Sequence, residues 1–152
     1  MMRLTMDDLM EVFPLEPIPL LNDEILSEMA IEGKVGMEKL RNKNWLQYFR
    51  ERKFHDSTVY WMPPSFIFYY TPAYVCAQLH GCELGDPFVA SFMFILKEES
   101  FCINVAPFFS KIQIGVLREW VNAIDSNEID NYEMSNDICF IKKLLKEIDE
   151  KF

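Results

Sequence analysis

A proline-interrupted apolar and aromatic run from Pro63 to Leu79 constrains this chain more than any other feature. The run reads Pro-Pro-Ser-Phe-Ile-Phe-Tyr-Tyr-Thr-Pro-Ala-Tyr-Val-Cys-Ala-Gln-Leu and carries no charged residue. A helix that is apolar on every side has no face to leave in water, so the rest of the chain has to surround it. The run therefore predicts a central core helix, kinked near Phe68 because Pro72 removes one backbone donor.

The chain has the length of one domain. Its 152 residues fit a single globular unit over 1–152, and half of them are hydrophobic. A chain of this size buries about two-thirds of its unfolded surface, so it needs no disulfide or metal to fold. The composition excludes a disordered protein and predicts a dense core.

Four cysteines are present, and no two of them have C-x-x-C spacing. They are expected to be reduced thiols in or beside the core. The start of the chain shows no apolar signal segment, and its longest apolar run is too short for a bilayer span, which requires about 20 residues. These features predict a cytoplasmic protein without a membrane partner.

Net charge narrows the choice of partners. The chain carries 24 acidic and 15 basic residues, a formal charge of −9. Such a surface repels nucleic acid and anionic lipid, whereas a basic protein is attracted to it. The alternative is that the acidity only keeps the protein soluble.

The first third of the chain contains two helix starts. Thr5 followed by Asp8 resembles a capping box that opens a short helix. Asn22 is a suitable cap for a second helix, which is expected to end near Gly33. The interval from Gly33 to Gly36 is interpreted as a turn.

Helical patterns also cover most of the remainder. A helix is predicted from Trp45 to Arg52, and another after Asp86-Pro87. For residues 88–105 a hairpin of buried strands stays open as an alternative. Two amphipathic stripes follow: Ile112, Val116, Leu117, Trp120, Val121 and Ile124, then Ile138, Ile141, Leu145, Ile148 and Phe152. The sequence thus predicts a mainly α fold, a single compact multi-helix domain around a buried Pro-kinked central helix, with one small β-hairpin as the variant.

A resemblance covers residues 45–124. Its order is Trp45, then Tyr69-Tyr70-Thr71-Pro72-Ala73-Tyr74, then Asp86 with Phe92 to Leu96, then Phe108 to Gln113 leading into Val116 to Trp120. This order resembles a small bacterial helical domain family of unknown function, in which a tryptophan precedes a YY-x-PA helix and a glutamine-led helix follows. Gly115 departs from that pattern. The resemblance implies a helical fold and assigns no catalytic residues.

By class rather than by motif, the chain is similar to immunity proteins of polymorphic-toxin and contact-dependent growth inhibition systems. Those proteins block a toxin in the cell that makes it, and the toxins are often basic nucleases. The analogy implies a basic protein toxin as the partner.

Candidate chemistry is sparse. Cys76 and His80 lie four residues apart on the central helix, which would let a thiol and an imidazole meet in one pocket. The interpretation favoured by the sequence is an inert core thiol and an imidazole at a helix end, with a catalytic pair as the alternative. With only two histidines and five glycines, neither a metal site nor a phosphate loop is expected. Tyr69, Tyr70 and Tyr74 are interpreted as core residues with hydroxyls bonded at its edge.

Most acidic pairs, among them Asp7-Asp8 and Asp23-Glu24, are interpreted as charge that faces solvent. The stretch from Asp125 to Asp137 differs because its acids alternate with apolar side chains and no base intervenes. Its predicted partner-binding residues are Asp125, Glu128, Asp130, Tyr132, Glu133 and Asp137. Carboxylates there would pair with arginine or lysine while the tyrosine provides an apolar anchor. The alternative is a solvated connection between two helices.

Together these observations predict a non-enzymatic immunity protein that binds and neutralises a basic toxin, a nuclease in the first instance. No cofactor, metal or catalytic residue is predicted. The alternative is a small enzyme or ligand-binding adaptor with a pocket near Cys76 and His80. The oligomeric state stays open.

Overall fold

The computed structural model describes residues 4–53, 56–82, 86–126 and 132–151, with the side chains of 125, 126, 132–138, 140, 149 and 151 left aside. The described chain is mainly α, as predicted, and contains no strand. Its helices are α1 (Met6–Val12), α2 (Asp23–Ser27), α3 (Ile31–Glu38), α4 (Trp45–Glu51), α5 (Pro64–Leu79), α6 (Pro87–Leu96), α7 (Lys111–Ser126) and α8 (Tyr132–Lys151).

Helix α5 is the predicted central helix. It runs unbroken from Pro64 to Leu79 with Pro72 inside it, and each residue from Tyr69 to Ala77 is buried. Thr71 donates its hydroxyl to the carbonyl of Ile67 at 2.7 Å, so its polar group is satisfied within the helix. An all-round apolar helix is stable in water only when neighbours cover every face, which α4 and α6 help to do.

The segment left open between helix and hairpin is helical. α6 is followed by a π-helical turn (Phe101–Val105) and a 3₁₀ turn (Ala106–Phe108). Phe88, Phe92 and Leu96 lie four residues apart and are buried to within 1%, which is the spacing of one helix face. Phe92 stacks on Tyr74 of α5 with ring centroids 4.8 Å apart. Burial of this helix face against α5 therefore explains why α6 forms here and the alternative β-hairpin does not.

Both predicted helix starts at the N-terminal end are confirmed. Thr5 accepts from the Asp8 amide at 3.2 Å, and Asp8 accepts from the Thr5 amide at 2.9 Å. The Asn22 side chain accepts from the Ile25 amide at 2.8 Å. Each bond satisfies a backbone donor that the first helical turn leaves without a partner. The helix that Asn22 starts was predicted to end near Gly33, which is wrong, because α2 ends at Ser27 and a separate helix begins at Ile31.

The turn predicted from Gly33 to Gly36 is wrong, because both glycines lie inside α3. A Cβ atom on Gly33 would lie 2.8 Å from the Trp61 ring, and one on Gly36 would lie 2.6 Å from the Thr58 hydroxyl. Trp61 and Thr58 belong to a 3₁₀ turn (Thr58–Trp61). The glycines therefore permit two backbones to approach closely, and tertiary packing outweighs their low helix propensity.

Among the side chains that the structure describes, the predicted C-terminal stripes are confirmed except at Ile112. Ile112 is 71% exposed, whereas Ile114 is buried to 2%. Ser110 and Gln113 form a capping box that sets the start of α7, with Gln113 turned inward. In α8, buried positions include Ile141, Leu145 and Ile148; the Ile138 side chain and Phe152 lie outside the described residues.

Within the described ranges, no helix combines the length and the apolar character that a bilayer span requires.

Candidate functional site

The six residues predicted to bind a partner fall between positions 125 and 137 of the sequence. Glu128 and Asp130 fall outside the described residues, as do the side chains of Asp125, Tyr132, Glu133 and Asp137. Their role in binding therefore stays a prediction.

Cys76 and His80 lie together on α5, but their polar groups have different partners. The Cys76 thiol is fully buried and donates to Met6 Sδ at 3.4 Å. Burial raises the pKa of this thiol to about 12, which disfavours the nucleophilic thiolate. His80 Nδ1 lies 2.9 Å from the carbonyl oxygen of Cys76, and its ring packs near Phe49. This geometry favours the interpretation of Cys76 as a core residue.

The tyrosine hydroxyls of α5 bond within the fold, as the core interpretation requires. Tyr70 donates to the Lys43 carbonyl at 2.7 Å, and the hydroxyls of Tyr74 and Tyr48 lie 3.0 Å apart. Tyr69 donates to the Leu15 carbonyl. Burial raises the pKa of Tyr69 to about 12, and it also raises the pKa values of Tyr48, Tyr70 and Tyr74. These phenols are structural donors, neutral well above physiological pH.

An irregular segment, residues 13–22, links α1 to α2 and is attached to the body of the protein through backbone carbonyls. Side chains from separate parts of the fold donate to it and to the last residue of α1: Gln113 Nε2 to Val12 at 3.1 Å, Trp45 Nε1 to Phe13 at 3.2 Å, the Tyr69 hydroxyl to Leu15, and Arg41 to Leu21 at 3.1 Å. Three buried side-chain donors and the exposed Arg41 thus hold a segment that makes no helix of its own.

Three residues of the sequence pattern on which the resemblance rests have a structural role in this anchoring. Trp45 and Tyr69 both donate to the irregular segment, and the Trp45 amide also donates to the Tyr69 hydroxyl at 3.3 Å. Gln113 caps α7 and reaches Val12 with its amide nitrogen. All three therefore hold the first helix and the segment after it against the core.

An apolar groove of about 530 Å³ lies between this segment and α5. Prolines at 14, 17 and 19 together with Ile18, Leu20 and Ile25 form one wall, and Phe66, Phe68 and Tyr69 form the other, with Phe108 and Gln113 closing it. Leu20 is 80% exposed and Phe108 is 50% exposed. Exposed apolar side chains concentrated in one concavity are typical of a binding surface.

The wall formed by residues 13–22 belongs to a longer stretch of chain in which every charged residue is acidic. Residues 4–33 contain eight acids and no lysine, arginine or histidine. All eight are exposed: Asp7, Asp8, Glu11, Glu16, Asp23, Glu24, Glu28 and Glu32. We define residues 4–33 as the acidic segment. Interpreting these acids pair by pair missed their common sign, which the run of thirty residues without a base could have revealed.

A cleft of opposite character lies between α7 and α8. It measures about 270 Å³ and is lined by Arg118, Lys142, Lys143 and Lys146 together with Asn122 and Leu145. Along the sequence, these cations lie towards one end of the chain and the acidic segment lies towards the other. An acidic protein can present both signs when each occupies its own surface.

A third cavity, of about 700 Å³, lies between α3, α4 and the 3₁₀ turn. Its lining mixes Lys39, Lys43 and Lys53 with Glu32, Glu51 and Asp56. Lys43 and Glu51 form an ion pair at 2.7 Å. Both signs alternate here, so the cavity has no single electrostatic preference.

The described residues bring together no group of three or more His, Cys, Asp or Glu side chains that could hold a metal ion. His55 lies outside those residues, and Asp56 accepts from the Thr58 amide at 2.8 Å.

Comparison with protein-family models, curated proteins and solved structures finds no match for the chain. The resemblance through the tyrosine-rich motif therefore stays a prediction.

Proposed function

We propose that this protein is a non-enzymatic binding protein, most concretely an immunity protein that neutralises a basic toxin, a nuclease in the first instance. The observation that carries the proposal is the acidic segment, whose eight exposed carboxylates occur without one base in residues 4–33. A surface of uniform sign attracts a partner of opposite sign, accelerates encounter and rejects partners of like charge.

The mode of neutralisation follows from the chemistry of nucleases. An enzyme that cleaves nucleic acid holds the phosphate backbone with lysine and arginine side chains. Carboxylates presented by this protein would occupy those cations and exclude the substrate. Inhibition in the cytoplasm of the producing cell is part of the same proposal.

Two parts of the chain are proposed to contact the toxin. One is the acidic segment. The other is the predicted set Asp125, Glu128, Asp130, Tyr132, Glu133 and Asp137, which mixes acids with an aromatic residue. In each, paired charges would set orientation while apolar side chains supply the desolvated anchors that carry most binding energy.

The test is a pull-down of the tagged protein co-expressed with the product of the adjacent upstream gene, followed by titration at low and high salt. We expect a complex that weakens as salt rises, because screening weakens exposed ion pairs. Growth of cells that express the toxin should depend on this protein. A protein that neither binds its neighbour nor protects against it would refute the proposal.

Variants that neutralise the acids of one region at a time then show which region contacts the toxin. One variant replaces Glu16, Glu24, Glu28 and Glu32 with glutamine, and a second replaces Glu128, Asp130, Glu133 and Asp137 with the matching amides. The control, which neutralises two acids outside both proposed surfaces, is Glu98→Gln with Glu99→Gln. We expect either of the first two to slow association by about tenfold or more at low salt, and the control to leave it unchanged.

The alternative function, an enzyme or adaptor working at Cys76 and His80, predicts a reactive thiol. The buried thiol with its raised pKa does not favour that alternative, and thiol labelling, described in the Discussion, tests it directly.

A further inference from the structure

The groove beside the irregular segment is built before any partner arrives. Its outer wall is attached to the body through the carbonyls of Val12, Phe13, Leu15 and Leu21, each of which accepts from a side chain elsewhere in the fold. Pro14, Pro17 and Pro19 further restrict the wall because each fixes its own φ. A preformed wall loses little conformational entropy when a ligand binds.

The groove offers mainly apolar contacts. Two of its polar side chains are already engaged, since Tyr69 donates to Leu15 and Gln113 bonds to both Ser110 and Val12. Leu20 and Phe108 project into solvent, 80% and 50% exposed. An occupant must therefore bring apolar side chains of its own.

One charged residue, Glu16, belongs to the groove lining. Along the chain, Asp23 and Glu24 directly precede the wall residue Ile25. Arg41 reaches the same segment, but its guanidinium is paired with both carboxylate oxygens of Glu38 at 2.9 Å. Lys111 lies two residues before Gln113. Among the described residues, the charged side chain of the lining is therefore an acid, which a basic occupant complements.

From these observations we infer that the groove receives an apolar segment of the partner polypeptide flanked by lysine or arginine. Its apolar side chains pack against Leu20, Phe68 and Phe108, and its cations pair with Glu16 and the adjacent acids. This inference rests on the proposed function, because it specifies how a basic toxin would be anchored. The net charge of −9 on each chain opposes association with a second copy.

The probe is a short synthetic peptide that repeats leucine at helical spacing and has lysine elsewhere, a form suited to an apolar groove. Two comparison peptides each change one property: the first replaces lysine by glutamate, and the second replaces leucine by serine. Binding to the full-length protein is followed by NMR chemical shifts of backbone amides. We expect the leucine-lysine peptide to perturb residues of the segment 13–22 and Phe108, and both comparison peptides to bind about tenfold more weakly or not at all.

Protein variants confirm the location. Leu20→Ser with Phe108→Ser removes apolar contacts from exposed positions and should weaken peptide binding about tenfold. The matched control is Ile103→Ser, because Ile103 is 63% exposed and does not line the groove. Thermal unfolding of each variant shows whether it keeps its fold.

The outcomes separate this inference from the proposed function. Equal binding of the peptide to the parent and to the Leu20 and Phe108 double variant would overturn the inference, as would absence of binding. Peptide binding in the groove together with no complex with the neighbouring gene product would keep the groove assignment and refute the immunity function. A toxin complex that the double variant leaves intact would keep the function and remove the groove from it.

Discussion

The interior face of α5 and the groove beside its N-terminal half are built from the same kinds of side chain, yet they leave those side chains in opposite states. Tyr70 and Tyr74 are buried to within 1%, and their hydroxyls are bonded inside the fold. Leu20 and Phe108 expose at least half of their surface. Apolar area buried within the fold supports stability, whereas area left exposed is available for a partner. Substitutions should therefore separate stability from binding.

The largest expected difference concerns thiol reactivity. Cys76 on the interior face is fully buried, and Cys139 on α8 is exposed. In a labelling experiment with a thiol reagent on the native protein, we expect Cys76 to react at least about a hundredfold more slowly than Cys139, because its reaction requires local opening and its thiol pKa is raised. Rapid labelling of Cys76 would favour the enzyme alternative. Cys139→Ser provides the control for assigning the signal.

Alanine substitutions of Phe92 in the core and Phe108 in the groove compare how much each site contributes to the free energy of unfolding. Phe92 is fully buried between Tyr74 and Trp120. Phe92→Ala should lower the free energy of unfolding by about 3–5 kcal/mol, since it removes buried area and leaves a cavity. Phe108→Ala should lower it by less than about 1.5 kcal/mol, since half of that ring is already in water. Urea denaturation measures both, and equal losses would contradict the distinction.

Two glycines in helices, one closely packed and one exposed, test whether close packing of the backbone requires glycine. Gly36→Ala places a Cβ 2.6 Å from the Thr58 hydroxyl and should lower the free energy of unfolding by about 1–3 kcal/mol through overpacking. Gly115→Ala is the control, because Gly115 is exposed in α7 with open space around it. It should raise the free energy of unfolding by up to about 1 kcal/mol, as helix propensity predicts. A stabilising Gly36→Ala would show that α3 can move away from the 3₁₀ turn.

The smallest expected effect is a dependence on high pH. The pKa of Tyr69 is raised from about 10 to about 12 by burial. A raised pKa means that the native state holds the proton more tightly, so this contribution to stability is complete below pH 10 and is lost as pH rises towards 12. The free energy of unfolding should therefore fall across that range, and Tyr69→Phe should make the fall shallower. An unchanged slope in Tyr69→Phe would indicate that the hydroxyl is well solvated.

Local patterns predicted the elements whose causes are local. The Thr5–Asp8 box, the Asn22 cap and the stripe Ile141, Leu145, Ile148 depend on residues three or four positions apart, and the structure confirms each. The prediction failed at Gly33 and Gly36, where the deciding contacts with Trp61 and Thr58 come from a segment more than twenty residues away. It also failed at Ile112, because Gln113 turns inward to reach Val12.

The candidate site likewise combines a feature that the sequence reveals with one that depends on distant contacts. The charge of the acidic segment was present in the sequence, but the groove beside it depends on Trp45, Tyr69 and Gln113 reaching the chain between Val12 and Leu15 from three different helices. Those contacts span up to 101 positions, and no periodicity reports a contact of that range.

By itself, the sequence determined that this protein is helical, that α5 lies at its centre and that its net charge is strongly negative. Helical spacing, an uninterrupted apolar run and a count of charges are properties of neighbouring residues or of the whole composition. Only the tertiary structure decided that Cys76 is enclosed, that the glycines of α3 serve close packing, and that prolines 14, 17 and 19 form the wall of a groove. Each of those outcomes depends on which distant side chains fill the same space, and close packing is settled only once the chain has folded.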